Sequence, residues 1–212
     1  MSDWHVENYV VGNVDTNCYF LVDDNTKLII IVDPGGEAGR LKEIIDEKGY
    51  KPAAILVTHA HYDHISGAEA LHQAYGVPRI ISEKGKETMV DTEINLSGYI
   101  GGEPVSYKAD EFLSDKEIRK IGRFEFQCFS TPGHTPCGMC FYFPKEMILF
   151  SGDTLFSGSV GRTDFPGGSM GSLVRSVREK IMILPEVTKV YPGHGPETDI
   201  RTEKNYNPYF GF

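Results

Sequence analysis

Apolar positions along the chain fall in two patterns, short continuous runs and helical spacing, and each marks a kind of element. Short runs rich in β-branched and aromatic residues, bounded by turn formers, fall at residues 5–11, 18–22, 28–32, 53–57 and 79–81 and read as strands. Between them, Leu41, Ile44 and Ile45 recur at helical spacing within residues 37–48, with Gly49 as a stop signal. Residues 66–75 read in the same way and end at Gly76. Residues 91–110, rich in Gly, Glu and Ser and containing G-G-E-P, show no clear periodicity and predict a long surface connection. A second strand-rich block occupies residues 117–121, 124–129, 139–143 and 147–150. After it, Leu173, Val177, Ile181 and Leu184 share one side of a helix over residues 172–183, and residues 188–191 give a last strand. Sheet-rich halves alternating with covering helices predict two packed sheets with helices outside, in one domain.

Composition narrows the function more than the fold. A chain of 212 residues suits a single α/β domain with a substantial core. Its net charge of -9, without any Lys/Arg-rich block, argues against a nucleic-acid groove, because phosphate binding draws on clustered basic charge. The opening stretch M-S-D-W-H-V-E-N-Y-V lacks the basic and apolar regions of a signal peptide. No apolar run approaches the roughly 18 residues a membrane helix needs, so the expectation is a cytoplasmic protein without a membrane partner. Cys18, Cys128, Cys137 and Cys140 are too few and scattered for a disulfide scaffold and predict reduced thiols.

The candidate chemistry begins at T-H-A-H-Y-D-H, residues 58–64, where three of the chain's seven histidines follow the apolar run A-A-I-L-V. In an extended segment alternate residues share a face, so His59, His61 and Asp63 are expected to point one way while a turn swings His64 towards them. Imidazole and carboxylate without thiolate suit zinc, iron or manganese. Three further strand ends add T-P-G-H134, S-G-D153 and Y-P-G-H194. Any one Gly-His or Gly-Asp pair is a common turn. Together with the first cluster they supply five histidines and two aspartates, enough for two metals with three ligands each and one shared carboxylate.

H-x-H-x-D-H followed by distant Gly-His, Gly-Asp and Gly-His resembles the motif series of the metallo-β-lactamase superfamily. Within it, T-P-G-H-T-P, S-G-D-T-L-F, G-R-T-D-F and Y-P-G-H-G-P-E-T are similar to the short bacterial members of the glyoxalase II (hydroxyacylglutathione hydrolase) group. The resemblance implies a four-layer αββα sandwich over residues 1–212, without the extra C-terminal helical domain of longer glyoxalase II proteins. It also implies a ligand set: His59, His61 and His134 for one metal, Asp63, His64 and His194 for the other, and Asp153 as the bridge.

Two divalent ions, most simply zinc with iron or manganese as alternatives, would lower the pKa of a shared water and supply hydroxide to a thioester carbonyl, with a thiol leaving. Asp63 would then be a ligand that also orients the water. The expected substrate is S-(2-hydroxyacyl)glutathione or a related small-thiol thioester. Candidate substrate contacts are Arg162 in G-R-T-D and, from the tail, Arg201, Lys204 and Tyr206. Arg162 reads better as an internal ion pair that fixes its Gly-rich loop. Asp33 in V-D-P-G-G reads as a turn former or as the partner of a ligand. Competing functions are a persulfide dioxygenase with one iron, a lactonase, and a metal-stabilised binding module without activity. Y-P-G-H194-G resembles the hydrolase pattern better than the Y-P-A-H of those oxygenases. Cys137-G-M-Cys140 leads into a strand pattern instead of opening a helix, which argues against a redox pair.

Overall fold

The computed structural model describes residues 3–100 and 104–210. Two six-stranded sheets form its centre. The first runs in the order β1 (Trp4–Val11), β2 (Thr16–Asp23), β3 (Leu28–Val32), β4 (Lys51–Leu56), β5 (Arg79–Ser82) and β6 (Glu111–Leu113). The second has β14 (Thr198–Asp199), β13 (Lys189–Pro192), β10 (Ile148–Gly152), β9 (Met139–Phe143), β8 (Phe124–Ser130) and β7 (Ile118–Ile121) side by side. A two-stranded ribbon, β11 (Leu155–Phe156) with β12 (Ser159–Val160), stands apart.

The period of two in the strands decides the layering. In β2, Phe20 and Val22 face one side and meet Leu41 and Ile45 of α1 (Ala38–Lys48) and Leu71 of α3 (Ala68–Tyr75). Tyr19 and Leu21 face the other side and meet Phe141, Phe143 and Phe150 of the second sheet. That sheet's outer residues, Cys140, Tyr142 and Leu149, pack under Leu173 of α6 (Met170–Ser176) and under Val177 and Ile181, which continue it. The order of layers is helix, sheet, sheet, helix, the four-layer αββα sandwich. Truncating a fully buried phenylalanine such as Phe141 between the sheets would cost about 3–5 kcal/mol.

Several elements differ from the sequence pattern for definite reasons. The helix read over residues 66–75 is present but starts two residues later, as α3 after Gly67, and a separate turn, α2 (Tyr62–Ile65), precedes it. The Gly67 amide donates to the Pro34 carbonyl at 2.8 Å, and a Cβ there would lie 2.8 Å from the same oxygen. The helix expected over residues 172–183 widens after Ser176 into a π turn, Val177–Ile181, with Met182 N donating to Val177 O five residues back. The connection at residues 91–110 contains one helical turn, α5 (Ser97–Ile100); Gly101, Gly102 and Glu103 of its G-G-E-P lie outside the described residues. A turn α4 (Gly85–Thr88), the strand β6 and the tail helix α7 (Ile200–Tyr206) have no counterpart in the pattern. Among the described residues, no helix is long and apolar enough to cross a membrane.

Strand direction gathers the chemistry. Strands β3 and β4 are parallel neighbours, so the residues after them, Asp33 and Thr58 to His59, emerge together. Strands β8, β10 and β13 also end on one edge, because β10 runs parallel to β13 and antiparallel to β9, which is antiparallel to β8. Backbone bonds join the two edges: Asn17 N donates to Gly193 O at 2.8 Å and Met139 N to Thr58 O at 2.9 Å. Carboxyl ends of strands are where α/β folds place ligands.

Candidate metal centre

The chain leaves β4 extended through His59 and His61, and then winds into α2, which carries Asp63 and His64. The change of period splits the motif. His59 and His61 stay together, while Asp63 turns away from their face to join His64, contrary to the alternation expected of an extended segment. The split is fixed by the Tyr62 amide, which donates to Asn95 O at 2.7 Å, and by Ser66 N closing the helical turn onto Tyr62 O at 2.9 Å.

Two triads result. His61 Nδ1 lies 3.2 Å from His59 Nε2 and 2.9 Å from His134 Nε2. Asp63 Oδ2 lies 3.4 Å from His64 Nε2 and 3.2 Å from His194 Nε2. Asp153 stands between them, with Oδ1 3.5 Å from His64 Nε2 and Oδ2 3.5 Å from His134 Nε2 and 3.6 Å from His194 Nε2. In each of three sets, His59/His61/His134, His59/His64/Asp153 and Asp63/His64/His194, the ligand-type atoms lie within 4.8 Å of one another.

The far side of most of these rings is already engaged. His64 Nδ1 faces Asp33 Oδ2 at 2.9 Å, His134 Nδ1 faces the Arg162 carbonyl at 2.7 Å, and His194 Nδ1 faces the carbonyls of Val14 and Asp15 at 3.1 and 3.3 Å. A ring that donates through Nδ1 offers its Nε2 lone pair to a cation. Two facing atoms, His64 Nε2 and Asp153 Oδ1, are buried without a hydrogen-bond partner among the described residues. Burying such groups unsatisfied costs several kcal/mol, which a cation between them would offset. With only nitrogen and oxygen donors, the set fits zinc, iron or manganese.

Electrostatics separates the histidines. Burial, then His134, holds the His61 pKa down to about 3, and burial with the neighbouring rings keeps His59 well below its usual value. For His64, burial works in the opposite direction to Asp63, Asp33 and Asp153, whose charges prevail and raise the pKa to about 10. His194 is raised in the same way: burial opposes, and the hydrogen bond to Asp63, with the charge of Asp153, lifts it. Ligation through His64 therefore requires release of its proton.

Close backbone packing explains two of the glycines in the motifs. A Cβ on Gly193 would lie 2.2 Å from Asp153 Oδ1 and 2.7 Å from His64 Cε1. Gly152 has φ +49°, and a Cβ there would meet Thr58 Oγ1 at 2.3 Å.

Above the cluster opens a cavity of about 450 Å³, its floor made by His61, Asp63, His134, Asp153 and His194 and its walls by Val14, Leu96, Phe156, Val160 and Phe165, with Ser159 and Arg162 at the side. Arg162 forms a two-armed ion pair with Asp164 at 2.7 and 2.6 Å and lies 4.2 Å from the centre of the Phe165 ring. The tail candidates sit elsewhere, and none of Arg201, Lys204 and Tyr206 lines this cavity. Arg201 pairs with Glu186, and Tyr206 is 80 % exposed. What the tail contributes is Glu203, buried and accepting from Gly158 N at 3.0 Å, while Asn207 Nδ2 donates to Ser159 O at 3.1 Å. Helix α7 thus braces the ribbon that carries Phe156 and Val160.

Sequence reasoning missed Thr16, whose hydroxyl donates to Asp63 Oδ2 at 3.0 Å, and the carbonyls of Val14 and Asp15. Nothing in a lone threonine or a backbone carbonyl announces such a role. Asp33 proves to be both turn former, at φ +50°, and partner of a histidine in the cluster. Cys137 packs in the layer under α1 and α3 and Cys140 in the layer under α6; both are buried free thiols, and burial pushes Cys140 up to about 11.

Comparison with known proteins agrees with this geometry. The family model described as the metallo-beta-lactamase superfamily matches residues 11–194. A probable metallo-hydrolase, YqgX of Bacillus subtilis (strain 168), is 40% identical over 94% of both chains. Hydroxyacylglutathione hydrolase GloC of Haemophilus influenzae (strain ATCC 51907 / DSM 11121 / KW20 / Rd) is 36% identical over 97% of both. Among solved structures, the BLEG-1 B3 metallo-beta-lactamase superposes with a TM-score of 0.93 at 39% identity, covering 97% of this chain and 99% of that one. TTHA1623 in a di-iron-bound form superposes with a TM-score of 0.84 at 32% identity, covering 96% and 100%. The two triads with their intervening aspartate, on this fold and with these relatives, establish that the chain belongs to the metallo-beta-lactamase superfamily.

Proposed function

We propose that this protein is a hydrolase that uses two divalent metal ions to cleave thioesters of small thiols, S-(2-hydroxyacyl)glutathione or a close relative among them. The observation that carries the reading is the position of Asp153, with one carboxylate oxygen towards His64 and the other towards His134 and His194. His59, His61 and His134 would hold one ion, Asp63, His64 and His194 the other, and Asp153 both. Divalent ions, when bound there, supply the Lewis acidity that polarises a carbonyl and makes water nucleophilic near neutral pH.

The chain's own residues do the rest. Asp63 is fixed by the Thr16 hydroxyl and orients the attacking water through its remaining acceptor capacity. Val14, Phe156, Val160 and Phe165 exclude bulk water and flank the scissile bond. Arg162 serves the loop, since Asp164 already occupies its guanidinium. Among the described residues that line the cavity outside the cluster, only Ser159 and Arg162 are polar, and neither is a general acid poised over the leaving group. A thiol leaves as thiolate without one, whereas an amine requires a proton. That difference favours thioesters over the β-lactam amide suggested by the likeness to BLEG-1.

The test combines metal counting with a substrate panel of glutathione thioesters, lactones, β-lactams and a glutathione persulfide. Two metals per chain with fastest turnover of a thioester is the expected result. A single iron with oxygen consumption on the persulfide would refute the reading, as would a clear preference for the β-lactam.

A further inference from the structure

Leu96 occupies backbone space that leucine ordinarily avoids. Its φ is +66°, in the left-handed region where an L residue's Cβ crowds its own carbonyl. Such strain persists only when the surroundings determine it. Here the determinant is the neighbouring Asn95, fully buried, whose amide donates to the carbonyls of Met89 and Val105 at 3.2 and 2.9 Å and accepts from Ser97 N at 2.9 Å. The Asn95 carbonyl in turn accepts from Tyr62 N at 2.7 Å, at the start of the helical turn that carries Asp63 and His64. Leu96 is therefore placed relative to the metal cluster by a continuous chain of hydrogen bonds.

The backbone of that chain would suit glycine or asparagine at position 96 better than leucine, since either enters the left-handed region readily. Only the side chain can justify leucine. It is 4 % exposed and, among the described residues, belongs to none of the three apolar clusters that form the layers. What surface it retains forms part of the cavity wall above the metal cluster, together with Val14, Phe156 and Phe165. From this we infer that Leu96 sets the size of the apolar substituent accepted beside the scissile carbonyl. The inference rests on the hydrolase reading, but not on the thioester.

The experiment uses the metal-loaded full chain and two homologous series, glutathione thioesters from acetyl to octanoyl and γ-lactones bearing alkyl groups over the same range. In Leu96→Ala and Leu96→Gly, the octanoyl-to-acetyl ratio of kcat/KM rises by about tenfold or more, carried mainly by KM. Leu96→Met, which conserves volume, keeps the wild-type ratio. Leu96→Gly also relieves the backbone strain, so its selectivity is read in a folded protein even where the alanine variant is destabilised. A ratio that stays within about twofold of wild type in both truncations on every series hydrolysed overturns the assignment. Turnover of lactones alone refutes the thioester reading while the Leu96 effect is still read on the lactone series. A metal-loaded wild type that hydrolyses neither series overturns both.

Discussion

Asp33 Oδ2 accepts a hydrogen bond from His64 Nδ1 at 2.9 Å, with both side chains buried. The same carboxylate accepts from Thr58 N at 2.8 Å and from Thr58 Oγ1 at 2.6 Å, so it joins the ends of β3 and β4 while fixing the tautomer of a ring in the candidate metal cluster. Replacing it with alanine would strand three buried donors. Asp33→Ala is expected to lower stability by about 2–4 kcal/mol, and metal affinity by about 10–100-fold. Urea unfolding of the chelated protein reads the first and chelator competition the second; unchanged metal affinity would show that Asp33 is only a structural tie.

Asp153→Ala removes the one carboxylate shared by the two triads. The variant is expected to bind fewer than two metals per chain and to lose at least about a hundredfold in kcat/KM, because even an outer partner of a metal ligand is worth up to that much. Elemental analysis alongside turnover checks both. Full activity with two retained metals would remove Asp153 from the bridging position.

Chelation should also be visible without any substrate. A cation that binds the folded cluster and not the unfolded chain stabilises by mass action, by about 4 kcal/mol at a thousandfold excess over its Kd. Relief of the two unpartnered atoms, His64 Nε2 and Asp153 Oδ1, is part of that stabilisation. Treatment with a chelator is expected to lower Tm, and added zinc, iron or manganese to restore it. A Tm that ignores both treatments would separate the cluster from metal binding.

How much of this was legible in the sequence follows from length scales. Strands such as β2 and β9 are legible as continuous apolar runs, but a strand buried on both faces does not say which face meets which layer, so the placing of Phe20 and Phe141 in different layers is seen only in the fold. The ribbon strands β11 and β12 have two residues each, too few for any period, and α7 is tied down by the buried Glu203 instead of by an apolar stripe. The seven residues of the cluster stood out in the sequence as residue types because imidazole clusters are rare. Their partition around α2 came from the family resemblance and not from strand alternation, since it depends on Tyr62 N meeting Asn95 O, a contact 33 residues apart in the sequence. The backbone strain at Leu96 leaves no compositional trace at all.

The tail offers a contrast between neighbours. Glu203 accepts from Thr198 Oγ1 and Asn207 Nδ2, both at 2.6 Å, as well as from Gly158 N, whereas Arg201 makes one exposed ion pair. Glu203→Ala is expected to cost about 2–4 kcal/mol and to raise KM as the wall bearing Phe156 loosens. Arg201→Ala, Lys204→Ala and Tyr206→Ala should each stay within about 0.5 kcal/mol and leave KM unchanged. A KM rise in any of these three, with Tm unchanged, would return the tail to the substrate site.

Glu7 gives a prediction in pH. Burial opposes its ionisation, yet hydrogen bonds from Lys48, Tyr9, Tyr50 and His5 outweigh that and lower the pKa from 4.5 to about 2. Lys48 Nζ lies 2.5 Å from one carboxylate oxygen, and the Tyr9 hydroxyl lies 2.5 Å from the other. Because the folded-state pKa lies below the unfolded one, the stabilisation is complete above about pH 4.5 and is lost as pH falls towards 2. Glu7→Gln keeps the shape but not the charge. Near neutral pH it should be less stable than wild type by about 1–2 kcal/mol, a value discounted for the partial exposure of Lys48. Denaturant unfolding of both proteins at a series of pH values is the measurement. The gap should close between pH 4.5 and 2, and a gap that stayed constant over that range would mean that packing, and not the carboxylate charge, ties β1 to the end of α1.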